Sequence, residues 1–376
     1  LSLRRQRQMC IRDSTYHTKN YNMTKLENLK RLLSDNSNSW IPFTLNIGSE
    51  EGLTEPIKKK LKKYTGKIEP DEYFDYDFRS FSLKARFGGE NPEKYHTDVK
   101  EGTIFDEWGV GHWSGGAEGT IDLMYHPLKN AESIKEVEEY PEPVIEPPEN
   151  LIIVDKYHRR GYPVFGYAGS IYEWSWWLRG MTDFLMDLIT NPSLAEAIVE
   201  KVAGYTLKLA LKSAEYGIDV LCFYDDAGMQ TGLQISPELW RKLIKPRWKS
   251  ILEKTKSKYP EVHFFLHSCG NIYEIIPDII EAGFDILHPI QPECMDIEKV
   301  KKEFGKHIVL SASISSQKIF PFGAPDEIRK EIRRLVDLYS DSSGCILCPS
   351  NAIQPETPIQ NILAFVDEAK RLRQIN

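Results

Sequence analysis

Cysteine is scarce in this chain, six residues among 376 with no regular spacing. That excludes a disulfide-stapled secreted scaffold and leaves reduced thiols, available as ligands or nucleophiles. Long apolar runs are missing too. Nothing approaches the ~18 residues that span a bilayer, so no membrane span is expected. The basic start leads into no apolar leader segment, and the expected location is cytoplasmic. No Gly-x-Gly-x-x-Gly follows the first predicted strand, so a dinucleotide-binding sheet lacks its fingerprint. Excess positive charge is absent as well. The formal net charge is −7, and such a body offers no basic footprint for nucleic-acid phosphates.

Residues 1–22 stand apart. They have no apolar periodicity, and the opening string Leu-Ser-Leu-Arg-Arg-Gln-Arg-Gln-Met-Cys resembles a translated adapter read-through. The segment is expected to be artefactual or disordered and is left out of fold reasoning. It carries five basic residues and one acid, so without it the net charge falls from −7 to −11. An amphipathic helix opens after Met23.

What is present is a repeated unit: a short β-branched or aromatic run, a polar tip, then a helical stretch. Strands are predicted over 41–47, 163–168, 219–224, 262–266, 285–289, 308–312 and 345–348, with a weaker candidate over 74–81. Between them, apolar residues recur at three- and four-residue spacing. Asn191-Pro192, Ser236-Pro237 and Thr357-Pro358 supply cap-then-proline starts. Alternation of this kind implies parallel βαβ units, and eight strands would close a single-domain α/β barrel over 23–376. The stretch 86–148 breaks the pattern with Gly, Pro and Trp. As a long excursion it is expected to wall the pocket mouth, with Trp108 meeting the substrate.

Barrel enzymes place their chemistry at the carboxyl ends of the strands. The tips here are polar. In His267-Ser268-Cys269-Gly270-Asn271, residues two apart on a strand project to one side, so His267 and Cys269 can reach one ion. A packed cysteine beside a satisfied histidine explains the pair equally well. Cys294 lies in the next tip and is either a third ligand or a buried small hydrophobe. Cys348 is the runner-up ligand, and Cys345 reads as core. Asp225 and Asp226 are adjacent and therefore point apart, so one of them faces the pocket and the other caps. Glu173 sits beyond another strand among aromatics and either ligates metal, positions substrate or pairs with Arg179.

These tips, taken together, resemble members of the uroporphyrinogen decarboxylase superfamily. The likeness is carried by 267–273, by Pro277-Asp278-Ile279-Ile280-Glu281-Ala282-Gly283 and by Gln291-Pro292-Glu293-Cys294-Met295-Asp296. It is carried as well by Asp225-Asp226-Ala227-Gly228, by 310–317 and by 354–362, and it runs from about Met23 to the C-terminus. The resemblance implies a (β/α)8 TIM barrel and one of two chemistries. One is cofactor-free porphyrinogen decarboxylation. The other is zinc-dependent methyl transfer between a corrinoid protein and a small thiol or methoxy compound. The decarboxylases carry an Arg-Gln-Ala-Gly-Arg-Tyr loop, whereas this chain has Gly48-Ser49-Glu50-Glu51-Gly52. Their Asn-Leu-Gly-His-Gly is replaced by Cys348-Pro349-Ser350-Asn351-Ala352. Both departures favour methyl transfer, with decarboxylation as the alternative. Some methyltransferases take a third zinc ligand from a Pro-Gly-Cys segment, and the corresponding Pro349-Ser350-Asn351 has Asn where the cysteine would be, so a third ligand would come from elsewhere. The expected ligand set is therefore His267, Cys269 and Cys294. Asp225 and Glu173 are the expected catalytic groups, and Gln291, Asp226, Asn271 and Trp108 the expected substrate contacts.

Overall fold

The computed structural model describes residues 23–35, 39–116, 121–150, 152–340 and 344–373. The expectation about residues 1–22 lies outside them. Seven parallel strands form one curled sheet in chain order. They are β1 (Arg79–Ser80), β2 (Val164–Gly169), β3 (Val220–Tyr224), β4 (His263–His267), β5 (Ile286–His288), β6 (Val309–Ile314) and β7 (Cys345–Pro349). Parallel strands need crossover helices, and those helices cover the outer face. That is why β3, β6 and β7 are buried along their whole length, β3 and β7 as apolar runs and β6 with Ser311 and Ser313 among its apolar residues.

The expected first strand over 41–47 is not a ladder strand. Phe43 makes only an isolated parallel bridge to Leu347. The Leu347 N–H donates to the Pro42 carbonyl at 2.9 Å, and on the other side the Asp77 N–H donates to the Phe43 carbonyl at 3.1 Å. Pro42 has no N–H to give a ladder, which limits the pairing this segment can make. The fold is thus mixed α/β and TIM-barrel-like, with seven laddered strands. The weaker strand candidate over 74–81 shrinks to β1. Inside the sheet, Phe78, Phe165, Cys222, Phe265, Ile286, Val309 and Ile346 form one buried layer, and Leu29 and Leu32 of the helix Lys25–Asp35 pack into it.

Helix starts follow local chemistry in part. The Ser236 side chain accepts from the Leu239 N–H, ahead of Pro237 in the first turn. Asn191 makes no such side-chain bond, although Pro192 still opens the 24-residue helix Pro192–Glu215. Among the described residues, no helix is long and apolar enough to cross a membrane.

The excursion over 86–148 is more regular than its composition suggests. Ile104–Phe105, Gly111–Trp113 and Leu123–Tyr125 form a small antiparallel sheet, and Ala85–Arg86 pairs with Val144–Ile145. It has a core of its own, where Trp108, Val110, Val137 and Tyr140 meet Trp174, Leu178, Ile198 and Tyr205. Trp108 is 1% exposed, edge-on to Trp174 and Tyr205 at 5.8 and 5.2 Å. The substrate contact expected of Trp108 is thereby corrected, because an aromatic ring this large contributes most where it is fully packed. Replacing it should cost stability rather than pocket chemistry. Trp108→Ala is expected to lose about 3–5 kcal/mol in denaturant unfolding, and a loss below about 1 kcal/mol would show that the ring is not part of a core.

Candidate functional site

The site begins with strand register. Tyr224 on β3 pairs with His267 on β4, and His267 pairs with His288 on β5. Three rings therefore stand side by side at the carboxyl ends of adjacent strands. Ring centroids are 5.5 Å apart for Tyr224–His267 and 4.9 Å for His267–His288. After His267 the chain turns sharply. The Ser268 hydroxyl donates to the Asp225 carbonyl at 2.9 Å and accepts from the Ala227 N–H at 3.0 Å. Gly270 adopts φ +85° with Gly228 so close that a Cβ would lie 2.5 Å from its carbonyl carbon, so only glycine fits. The turn sets the Cys269 thiol 3.2 Å from His267 Nε2. Asp226 Oδ1 accepts the Cys269 N–H at 2.7 Å and lies 3.6 Å from the same Nε2. Asp226, His267 and Cys269 each offer a ligand atom, all within 4.8 Å of one another.

A cavity of about 180 Å³ opens over this group, lined by Asp226, Met229, Cys269, Gln291, Gln317 and Asn351 among others. Gln291 Oε1 accepts the Gly270 N–H at 2.9 Å and so braces the turn. Asn351 donates its amide to the Cys269 sulfur at 3.1 Å. Asn271 is spent locally, accepting the Tyr273 N–H at 3.2 Å. Asp225 is buried, and both its oxygens are used. Oδ1 accepts from the Ser170 hydroxyl and from the Ile171 and Glu173 N–H groups. Oδ2 accepts from the Trp248 indole at 3.0 Å. Asp225 thus ties the helix Tyr172–Arg179 to the helix Lys245–Lys258 and offers no oxygen to a substrate. Cys294 stands outside the ligand group, its thiol donating to Gln230 Oε1 at 3.2 Å. Cys348 is 2% exposed and lines the barrel interior with His288.

The comparisons with known proteins fit this placement. The uroporphyrinogen decarboxylase (URO-D) family model matches residues 120–372. The chain belongs to the uroporphyrinogen decarboxylase family. It is 24% identical over 185 residues to a uroporphyrinogen decarboxylase of Pelodictyon phaeoclathratiforme, covering 48% of this chain and 50% of that protein. It is 26% identical over 189 residues to the methylcobamide:CoM methyltransferase MtaA of Methanosarcina barkeri, covering 50% and 52%. The chain thus spans about half the length of these curated relatives. A solved methyltransferase from Methanosarcina mazei superposes with TM-score 0.61 at 16% identity, covering 93% of this chain and 99% of that one.

Carboxylates dominate the electrostatics of this URO-D family site. Glu173 opens the helix Tyr172–Arg179, where burial and then Asp226 and Asp225 push its carboxyl well above the usual range. Burial, helped by Asp106, pushes Glu107 up to about 7. Glu50 keeps an exposed face but is pushed up by the protein around it, by Asp226 and by Glu107. Burial and the Asp226 charge hold the Cys269 thiol in its protonated form. His267 is lowered to about 4 by burial and is therefore neutral at pH 7, the state that can ligate. Among the described residues, no Lys or Arg lines the cavity.

Sequence reasoning missed Glu50, Glu107 and His288. Of these only His288 had a readable signal, a histidine ending the strand after the one that ends in His267. Glu107 gives a sign-definite test. Its folded pKa of about 7 exceeds the ordinary value of 4.5, so the folded chain holds a proton that the unfolded chain releases. The associated stability is full below about 4.5 and is lost as pH rises to about 7. Glu107→Gln should therefore match the parent at low pH and exceed it by about 1–3 kcal/mol above pH 7. A difference that does not change with pH would contradict this.

Proposed function

We propose that this protein is a zinc-dependent methyltransferase that moves a methyl group between a small thiol or methoxy compound and a corrinoid carried by a partner protein. The observation that carries the reading is the Asp226, His267 and Cys269 group at the strand tips, with its donors within 4.8 Å of one another beside an open cavity. The donor set fits zinc. One thiolate, one carboxylate and one neutral imidazole balance a dication and leave a coordination position open, as catalytic zinc sites do. Asp226 replaces Cys294 as the third ligand, because it is the group whose oxygen lies beside His267 and Cys269. Zinc, when bound, would supply a positive centre that acidifies a thiol or draws charge from an ether oxygen. The chain's own part is proton handling and orientation. Glu173, whose carboxyl is pushed well above its usual range by burial and by Asp226, is the group placed to give a proton to a leaving oxygen or exchange one with a thiol. Asn351 and Gln291 hold the Cys269 and Gly270 backbone and sulfur in place. The strand tips face the side on which a corrinoid protein docks.

The relative named as a decarboxylase keeps the alternative chemistry in view, but the cavity opposes it. A porphyrinogen substrate carries several carboxylates, and this cavity meets them with Asp226 and, among the described residues, no cationic side chain. Protein purified without chelators should hold about one zinc per chain. His267→Ala, Cys269→Ala and Asp226→Ala should each strip the zinc and abolish methyl transfer from methylcobalamin to a thiol, while Cys294→Ala should retain both. Zinc retained in Asp226→Ala and lost in Cys294→Ala would reverse the assignment. A zinc-free parent that decarboxylates uroporphyrinogen at a sustained rate would overturn the proposal.

A further inference from the structure

We infer that His288 is a positioning residue that fixes the tautomer of His267, so that His267 Nε2 faces the site without a proton. The inference rests on the reading of His267 as a metal ligand and deepens it. Its observations are a chain of contacts. His267 Nδ1 lies 2.7 Å from His288 Nδ1. His288 Nε2 lies 3.0 Å from the Pro349 carbonyl oxygen. His267 Nε2 lies 3.2 Å from the Cys269 sulfur. Both rings are buried, His288 completely and His267 at 7% exposure.

Protons can be assigned along this chain by elimination. A carbonyl oxygen only accepts, so His288 Nε2 must carry a proton and donate it to Pro349. Two protonated Nδ1 atoms cannot face one another at 2.7 Å, and two bare ones would meet lone pair to lone pair, so one of the two carries a proton and the other is bare. If the bare atom were on His267, His288 would hold both protons and be an imidazolium. A charge at 0% exposure, with no carboxylate hydrogen-bonded to it, would go uncompensated, a cost of several kcal/mol. The remaining arrangement satisfies every contact. His288 accepts at Nδ1, His267 donates from Nδ1, and the His267 Nε2 lone pair points at the Cys269 and Asp226 side.

The reverse order, with the proton on His267 Nε2, would set the bare His288 Nε2 against the Pro349 oxygen at 3.0 Å, lone pair to lone pair. Strand register holds the two rings together, since His267 and His288 are direct partners across β4 and β5 and stack at 28°. The Pro349 carbonyl, at the end of β7, thus sets the protonation of an atom on β4 by way of the histidine between them. An imidazole free in water prefers its proton on Nε2, the opposite of what a ligand at that atom needs. Outer partners of this kind orient ligating histidines and raise metal affinity.

Long-range ¹⁵N–¹H correlation spectra of the metal-free, labelled protein read the assignment directly. His267 is expected as the Nδ1–H tautomer and His288 as the Nε2–H tautomer; a His267 proton on Nε2 overturns the inference. Chelator competition then reads its consequence. His288→Phe keeps a stacked ring without an acceptor and should weaken zinc binding about 10–100-fold. His288→Asn restores an acceptor near the Nδ1 position and should recover part of the loss. A folded His288→Phe that binds zinc as tightly as the parent also overturns the inference. If the parent and His267→Ala are equally zinc-free, the metal reading fails, and the tautomer spectra alone decide the role of His288.

Discussion

In-register pairing of β3, β4 and β5 sets Tyr224, His267 and His288 shoulder to shoulder at the open end of the sheet, and the site is assembled outward from that row. Tyr224 fixes one flank. Its hydroxyl donates to the Ile47 carbonyl at 2.6 Å and accepts the Ser49 and Glu50 N–H groups at 3.0 and 3.1 Å. That anchors the loop that brings Glu50 to the mouth. On the other flank His288 ties the row to Pro349 on β7. Parallel β-pairing thus does more than build the wall. A slip of one residue would send the imidazoles to the opposite face and dissolve the ligand group.

The pocket adds a second constraint, which is charge. Burial raises the proton affinity of Glu50, Glu107, Glu173 and Asp226, and the Asp226 charge adds to it at Glu50 and Glu173, while among the described residues the lining carries no cation to relieve them. A bound dication would do so, releasing the Cys269 proton and settling the Asp226 charge. Asp225, one residue away, meets the same burial with four hydrogen bonds instead. Adjacent carboxylates thereby divide their work, one holding helices together and one facing the cavity.

Much of this was legible in the sequence, for local reasons. Strand and helix alternation, the polar tips and the His267–Cys269 pair all follow from periods of two and of three to four. The proposed third donor was not legible. Asp226 reaches the site through a hydrogen bond to the Cys269 backbone, from a neighbouring tip 43 residues away in sequence. Cys294 was favoured on chemistry and strand order, but the tip after β5 carries its thiol to Gln230. Trp108 and Glu107 are neighbours with different fates, one in a core and one with the acids, and that split depends on how the excursion packs against two helices. The eighth strand failed where Pro42 interrupts the ladder.

Zinc K-edge X-ray absorption on the purified protein tests the central claim most directly, because it counts donor atoms by element. The account predicts one sulfur neighbour at about 2.3 Å, with nitrogen and oxygen neighbours at about 2.0–2.2 Å. Two or more sulfur neighbours would place a second cysteine on the metal and contradict the Asp226, His267 and Cys269 site.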